Sequence, residues 1–382
     1  MSENRYQTGC RHFSGYKPCN KSKTCDDLCT FKDIPATRVL LVHLGAIGAV
    51  VRSTALLTAI KEKYRSSHIT WITQKPCNQL LANHPLVDLV LTTSSEDMMQ
   101  ASNFEYDLAI CVDKSLVATG IVKQMNCKKV VGFTADPRGG IVPANFKAKD
   151  LWELGLDNHK KFMVNKKPET QLMHEAFELP YSRGEYNLPL LGKEKEIANL
   201  KSNTWRLHPD DKLIGINTGC SAVIPYKKLP YESYVSLIKR LQESKNLVPV
   251  LLGGPEDQVR NERLHLETGA IYSPCDKGLR DGLTSVAACD VVVTGDSLGM
   301  HMAISQKKWV VAWFGPTCAH EIDLYERGRK IITNASCSPC WKRQCNMPTM
   351  CYDLVSLDDI YGAILEGLGF ELKTNPKADI SK

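Results

Sequence analysis

The chain lacks a long apolar run: nothing in its 382 residues approaches the roughly 20 consecutive apolar positions that span a bilayer. Its first residues, MSENRYQTGCRHF, hold no apolar core of a secretory signal. The expectation is a cytoplasmic protein. No basic stripe interleaves with aromatics, which excludes the common nucleic-acid modules. No strong internal repeat is visible. Excess charge is small: the formal net charge of +6 is diffuse, so it does not separate proteins of phosphorylated substrates or anionic surfaces from proteins of neither.

Cysteine, by contrast, is plentiful. Four of the 15 crowd the start (Cys10, Cys19, Cys25, Cys29) and four a stretch near the end (Cys337, Cys340, Cys345, Cys351). In a cytosolic chain, clustered thiols point to metal before disulfide. Residues 1–35 carry too little apolar material for a core, so they read as a cysteine-rich extension that is either a disordered tail or metal-stapled. The second cluster, Cys-x2-Cys-x4-Cys-x5-Cys, opens with a pair that can grip one tetrahedral ion on a tight turn. Two further thiols would close the shell, and four thiolates suit zinc or iron equally. Reduced cysteines in a packed loop are the competing reading. Mixed ligation between clusters or an iron–sulfur centre stays open.

The rest alternates strand and helix. β-Branched runs at Arg38–Leu44, His68–Thr73, Leu86–Leu91, Leu108–Val112 and Lys129–Phe133 precede a less regular stretch. The pattern restarts at Leu213–Asn217, Leu247–Leu252, Cys289–Thr294 and Trp309–Phe314. Helices are expected over Ala49–Arg65, Tyr231–Glu243, from about Ser297, and over Leu357–Leu368. The fold class is α/β with parallel sheets covered on both faces. A chain of this length suggests two domains, 36–195 and 196–382, joined by a linker near Tyr186–Asp211.

Three loops of the second half follow strands, where ligands bind in such folds. The first carries Thr218, Gly219 and then Lys227, a point charge for phosphate or a solvated lysine. The second carries Glu256 and Asp257, acceptors for ribose hydroxyls or ordinary first-turn acids. In the third, Gly295-Asp296-Ser297 opens a helix whose free N–H groups suit an anion. Asp296 would cap that helix, and His301 faces a phosphate or packs on the sheet.

In order, NTG, KxLP, LLGGPE, GDSLGMHMA and WFGPT, with LGAIGAVVRSTALLTAIKEKY upstream, resemble glycosyltransferase family 9, the ADP-heptose heptosyltransferases. The resemblance runs from about Arg38 to Ile360. It implies a GT-B fold, two Rossmann-like domains facing across a cleft, with the nucleotide sugar on the C-terminal one. It implies inverting transfer without a catalytic cofactor. Carried over, Thr218, Gly219 and Lys227 would hold the diphosphate, with Lys227 also stabilising it as leaving group. Asp296 would bind sugar hydroxyls, Ser297, Gly299 and His301 would line the phosphate end, and Glu256 would sit near the ribose. The family's glycine two residues after the Asp is Leu298 here, with Gly299 one place on. The cysteine stretch also resembles that of autotransporter heptosyltransferases, where it binds iron.

One departure bears on chemistry. The family's glycine loop reads Gly-Asp, and that Asp is the general base; this chain has Gly48-Ala49. Alanine accepts no proton, and inversion needs a base within reach of the attacking hydroxyl. Asp113, at a strand end, is the preferred substitute, although it also suits a helix N-cap; His43 is the other. The expected function is heptosyl transfer from an ADP-sugar to a lipopolysaccharide core or similar glycan, near the inner face of the inner membrane. The alternatives are a protein heptosyltransferase, or a nucleotide-sugar-binding protein impaired by Ala49.

Overall fold

The computed structural model describes residues 6–17, 19–244 and 246–370. It divides into two compact units. One holds the chain up to Ala46, Ser53–Lys161 and Glu169–Gly184. The other holds Ile47–Arg52, Phe162–Pro168 and the chain from Glu185.

The first unit contains β1 (Thr37–Val42), β2 (Ser67–Ile72), β3 (Leu89–Leu91), β4 (Glu105–Tyr106), β5 (Leu108–Cys111), β6 (Asn126–Cys127), β7 (Val130–Ala135) and β8 (Ile141–Pro143). Its six-stranded sheet runs β3-β2-β1-β5-β7-β8, and β4 and β6 form a separate pair. All the neighbours in the large sheet are parallel except β7 with β8. The second unit contains β9 (Lys212–Asn217), β10 (Leu247–Leu252), β11 (Ile271–Tyr272), β12 (Val291–Gly295), β13 (Trp309–Phe314) and β14 (Gly328–Ile332). Its sheet, β11-β10-β9-β12-β13-β14, is wholly parallel. Counted within each six-stranded sheet, both have the Rossmann order 3-2-1-4-5-6, which reverses between the first and fourth strands. The reversal falls between β1 and β5 in the first unit and between β9 and β12 in the second. The α/β class with Rossmann-like sheets is therefore what the structure shows.

Burial explains the strand runs. Val39–Val42 of β1 are inaccessible, as are Val291 and Val292 of β12. A strand covered on both faces reads as continuous apolar sequence. Helix Tyr231–Gln242 buries Tyr234, Val235, Leu237, Ile238 and Leu241 against Ile214, Leu251 and Val293. Its amphipathic spacing marks this face.

Three elements differ from expectation. The helix expected over Ala49–Arg65 comes as Ile47–Ser53 and Ala55–Lys63. β14 is a strand although Lys330 interrupts its apolar run. The supposed linker holds a 12-residue helix, Glu194–Trp205, whose only buried side chain is Ala198. Polar bonds hold it instead: Lys201 Nζ donates to Asp281 Oδ1 at 2.8 Å and Ser285 Oγ at 2.8 Å, and Glu194 pairs with Arg280. The cysteine-rich extension has no regular element among its described residues; Arg11 pairs with Asp33 inside it and ties it to Asp88 beyond it.

Candidate active site

In open α/β sheets a ligand is received at the carboxyl ends of the two strands that flank the reversal. In the second unit these ends are Asn217 of β9 and Gly295 of β12. Asn217 organises the place. Its side-chain amide donates to Gly219 O at 2.9 Å, Thr294 Oγ1 at 3.1 Å and Ser297 Oγ at 2.9 Å, tying all of one loop to the mouth of another. Ser297 is the N-cap of helix Leu298–Ser305, but its side chain makes no capping bond. The first N–H groups of a helix have no partner within it, and here the N-cap side chain does not supply one. Gly299 sits where a Cβ would be 2.6 Å from the Asn217 side chain, so the helix can lie over that amide only with glycine there. The close approach that requires glycine is thus at 299 rather than at 298.

Lys227 and Asp296 meet beside this helix, Nζ to Oδ2 at 3.9 Å, each only 16% exposed. Lys227 lies in the short turn Pro225–Lys227. Its carbonyl occupies the space a Cβ on Gly295 would need, so that glycine admits the lysine turn to the strand end. Tyr226 braces the turn from the other side: its hydroxyl accepts the Cys345 N–H at 3.2 Å. Asp296 does not cap the helix, since Ser297 takes that position.

The other expected residues divide by accessibility. Thr218 is inaccessible and its hydroxyl donates to Asn261 Oδ1 at 2.5 Å, while its N–H donates to Leu252 O and its carbonyl accepts from Arg260, so its polar groups are engaged within the protein. Gly219 packs on Asp257, whose carboxylate fills the place of a Cβ. Asp257 is buried, accepts from Gly254 N–H at 3.1 Å and pairs with Arg260 at 3.5 Å. Glu256, beside it, is exposed.

His301 is 5% exposed, and its Nδ1 has no hydrogen-bond partner. Tyr186 stacks on the ring, centroids 5.9 Å apart and planes 26° apart. Burial pushes its pKa down to about 3, aided by Arg52, so the imidazole is neutral. A Cβ on Gly48 would stand 2.6 Å from its Cδ2, which gives this glycine a packing role.

At the reversal of the first sheet, β1 runs into His43 and β5 into Asp113. Asp113 Oδ2 accepts the Leu44 N–H, and Oδ1 is 3.8 Å from His43 Nε2. His43 Nδ1 is 2.7 Å from Ser53 Oγ. Desolvation pushes the Asp113 carboxyl up to about 6, against the opposing pull of the Leu44 N–H. A carboxylate with that pKa is ionised at neutral pH yet basic enough to take a proton in a transition state. Asp113 is not the N-cap of the following helix: that cap is Ser115, which accepts from Ala118 N–H.

The family model of glycosyltransferase family 9 (heptosyltransferase) matches residues 100–351. The chain belongs to glycosyltransferase family 9. It is 24% identical over 302 residues to lipopolysaccharide heptosyltransferase 2 of Salmonella typhimurium, a match covering 73% of this chain and 83% of the relative. Two solved structures share its fold. A family 9 glycosyltransferase of Veillonella parvula superposes with a TM-score of 0.69 at 16% identity, covering 88% of this chain and 98% of that one. ADP-heptose lipopolysaccharide heptosyltransferase II of E. coli does so with 0.60 at 18%, covering 86% and 99%. This glycosyltransferase therefore has the GT-B fold. No helix among its described residues is long and apolar enough to cross a membrane.

The two cysteine clusters of this family 9 enzyme differ. All 15 cysteines are free thiols. Cys337, Cys340, Cys345 and Cys351 line one cavity of about 20 Å³. Burial first, then its three neighbours, pushes the Cys351 thiol up to about 11. Cys10, Cys19, Cys25 and Cys29 are half-buried, and the Cys10 sulfur accepts the Asp33 N–H at 3.5 Å. Among the described residues, the group that brings three possible ligand atoms within 4.8 Å of one another is Cys318, His320 and Glu321, which sequence spacing did not single out.

Proposed function

We propose that this glycosyltransferase moves heptose from ADP-heptose to a lipopolysaccharide core, inverting the anomeric centre in one displacement. The observation that carries the reading is the grouping of Lys227, Asp296 and the uncapped start of helix Leu298–Ser305 where the second sheet reverses. A lysine and a helix N-terminus together suit a diphosphate. In this reading the second unit holds the donor and the first presents the acceptor to Asp113. The acceptor hydroxyl gives its proton to the Asp113 carboxylate while its oxygen bonds to the anomeric carbon. The bond from that carbon to the diphosphate oxygen breaks, and its electron pair leaves with ADP beside Lys227. Asp296 takes the sugar hydroxyls, Glu256 the ribose, and neutral His301 hydrogen-bonds without adding charge. The named relatives support heptose, ADP and a lipopolysaccharide acceptor, which would put the enzyme at the cytoplasmic face of the inner membrane.

Incubation of the purified chain with ADP-heptose and a lipopolysaccharide truncated before its heptoses should release ADP and add one heptose to the acceptor. Donor left intact would overturn the proposal.

We propose that the four thiols of the second cluster bind one structural metal ion by closing on it: among the described residues they line one cavity, but as they stand they bring no three ligand atoms within 4.8 Å of one another. A cavity needs roughly 10–15 Å³ to take a water-sized body, and this one, of about 20 Å³, is walled by four soft donors. Bound zinc or iron would hold the loop closed and leave no open position for chemistry. Elemental analysis should find about one zinc or iron per chain, lost when Cys337 and Cys340 are both replaced by serine. Metal-free native protein would refute it.

A further inference from the structure

Two strand-end residues and a helix residue form a line in the first unit: Ser53, His43, Asp113. His43 is 5% exposed and Ser53 is inaccessible. The His43 N–H of the main chain donates to Ile72 O at 3.1 Å, so the residue is fixed as an extension of β1. Its ring bridges the other two, 2.7 Å from Ser53 Oγ through Nδ1 and 3.8 Å from Asp113 Oδ1 through Nε2. A hydroxyl can donate to or accept from an imidazole nitrogen. The choice is made at the far end, because a carboxylate facing Nε2 favours a proton there. Nδ1 then carries the lone pair, and Ser53 donates to it.

We infer that His43 is a positioning residue for sugar transfer: Ser53 fixes its tautomer, and its Nε2–H orients the Asp113 carboxylate toward the acceptor hydroxyl. This rests on the transferase reading with Asp113 as base. His43 neither gains nor loses a proton in the step; the acceptor proton goes to Asp113. The separation of 3.8 Å is longer than a hydrogen bond, and the inference requires it to shorten once the acceptor is seated, as catalytic contacts long in apo structures do. Two other ionisable groups face Asp113. Cys77 and Cys111 are both thiols pushed up chiefly by burial, Cys111 to about 12 with the carboxylate as the next cause, so both stay neutral at the pH of the reaction.

The test is made on the full chain with ring-labelled histidine, using His43→Gln to assign the His43 signal among the ten histidines. In the wild type, nitrogen shifts should report the Nε2–H tautomer. Asp113→Asn and Ser53→Ala should each mix the tautomers. In the ADP-release assay with ADP-heptose and truncated lipopolysaccharide, His43→Phe should raise the acid limb of kcat/KM by about one pH unit, since a donor to the ionised carboxylate is lost. His43→Gln, which keeps an N–H donor, should restore most of it. A His43 spectrum indifferent to both neighbours, or an unmoved limb in His43→Phe, overturns the inference. Wild-type protein that releases no ADP overturns the transferase reading instead, and the spectra still decide the coupling.

Discussion

Asp113→Asn is expected to remove about 10²- to 10⁴-fold of the transfer rate, the range a general base contributes, while leaving ADP-heptose binding intact. The same substitution should raise stability at neutral pH. The Asp113 carboxyl is pushed up to about 6 by burial, above the usual range of an unfolded aspartate. An acid raised on folding is held less favourably as its anion. That penalty is fully present above about pH 6, fades as pH falls, and is gone below the unfolded value near 4. Asparagine carries no charge, so the variant should melt higher than wild type at pH 7–8 by on the order of 1–3 kcal/mol, with the gain vanishing at pH 4. Wild-type kcat/KM should fall below about pH 6 for the same reason. Thermal melts at the two pH values, with initial rates across pH, check both halves. An active Asp113→Asn would mean that the proton is taken elsewhere.

Lys227→Ala should weaken turnover by about 10²- to 10³-fold, as expected when one preorganised donor to developing negative charge is removed. Calorimetry with ADP should find weakened binding too, because on the proposed reading the lysine would meet the diphosphate before and after reaction. Arginine is expected to rescue poorly. A planar guanidinium fork does not reproduce the compact point charge of the ammonium. Loss of the lysine also leaves Asp296 without its partner at 3.9 Å, so Asp296→Asn in the Lys227→Ala background should recover part of the ADP affinity. Unchanged ADP binding in Lys227→Ala would remove this lysine from the donor site.

Much of the scaffold could be read from the amino acids, because β-branched runs buried on both faces leave continuous apolar stretches. The strand-end loops with Lys227, Glu256 and Asp296 followed from them. What escaped was whatever depends on strands far apart in sequence lying side by side. Asn217 stands in the NTG motif, yet its bonds reach Thr294 and Ser297, some 80 residues on. His43 and Asp113 each stood out as a strand end, but their meeting needs β1 beside β5. Helix Glu194–Trp205 was illegible for another reason. With Ala198 alone buried, it has no apolar stripe, and ion pairs hold it in place. Tyr226 gave no signal either, since its hydroxyl serves a main-chain N–H more than a hundred residues later.

Both units order their sheets alike, and each sets its candidate site residues at the same address, the gap between first and fourth strands of the sheet. Such duplication separates two kinds of inheritance. On the proposed reading, substitutions around Asp113 would drift toward new acceptors while the grip on the nucleotide stays unchanged, and the converse would hold around Lys227. A lineage built this way can diversify its glycans one half at a time.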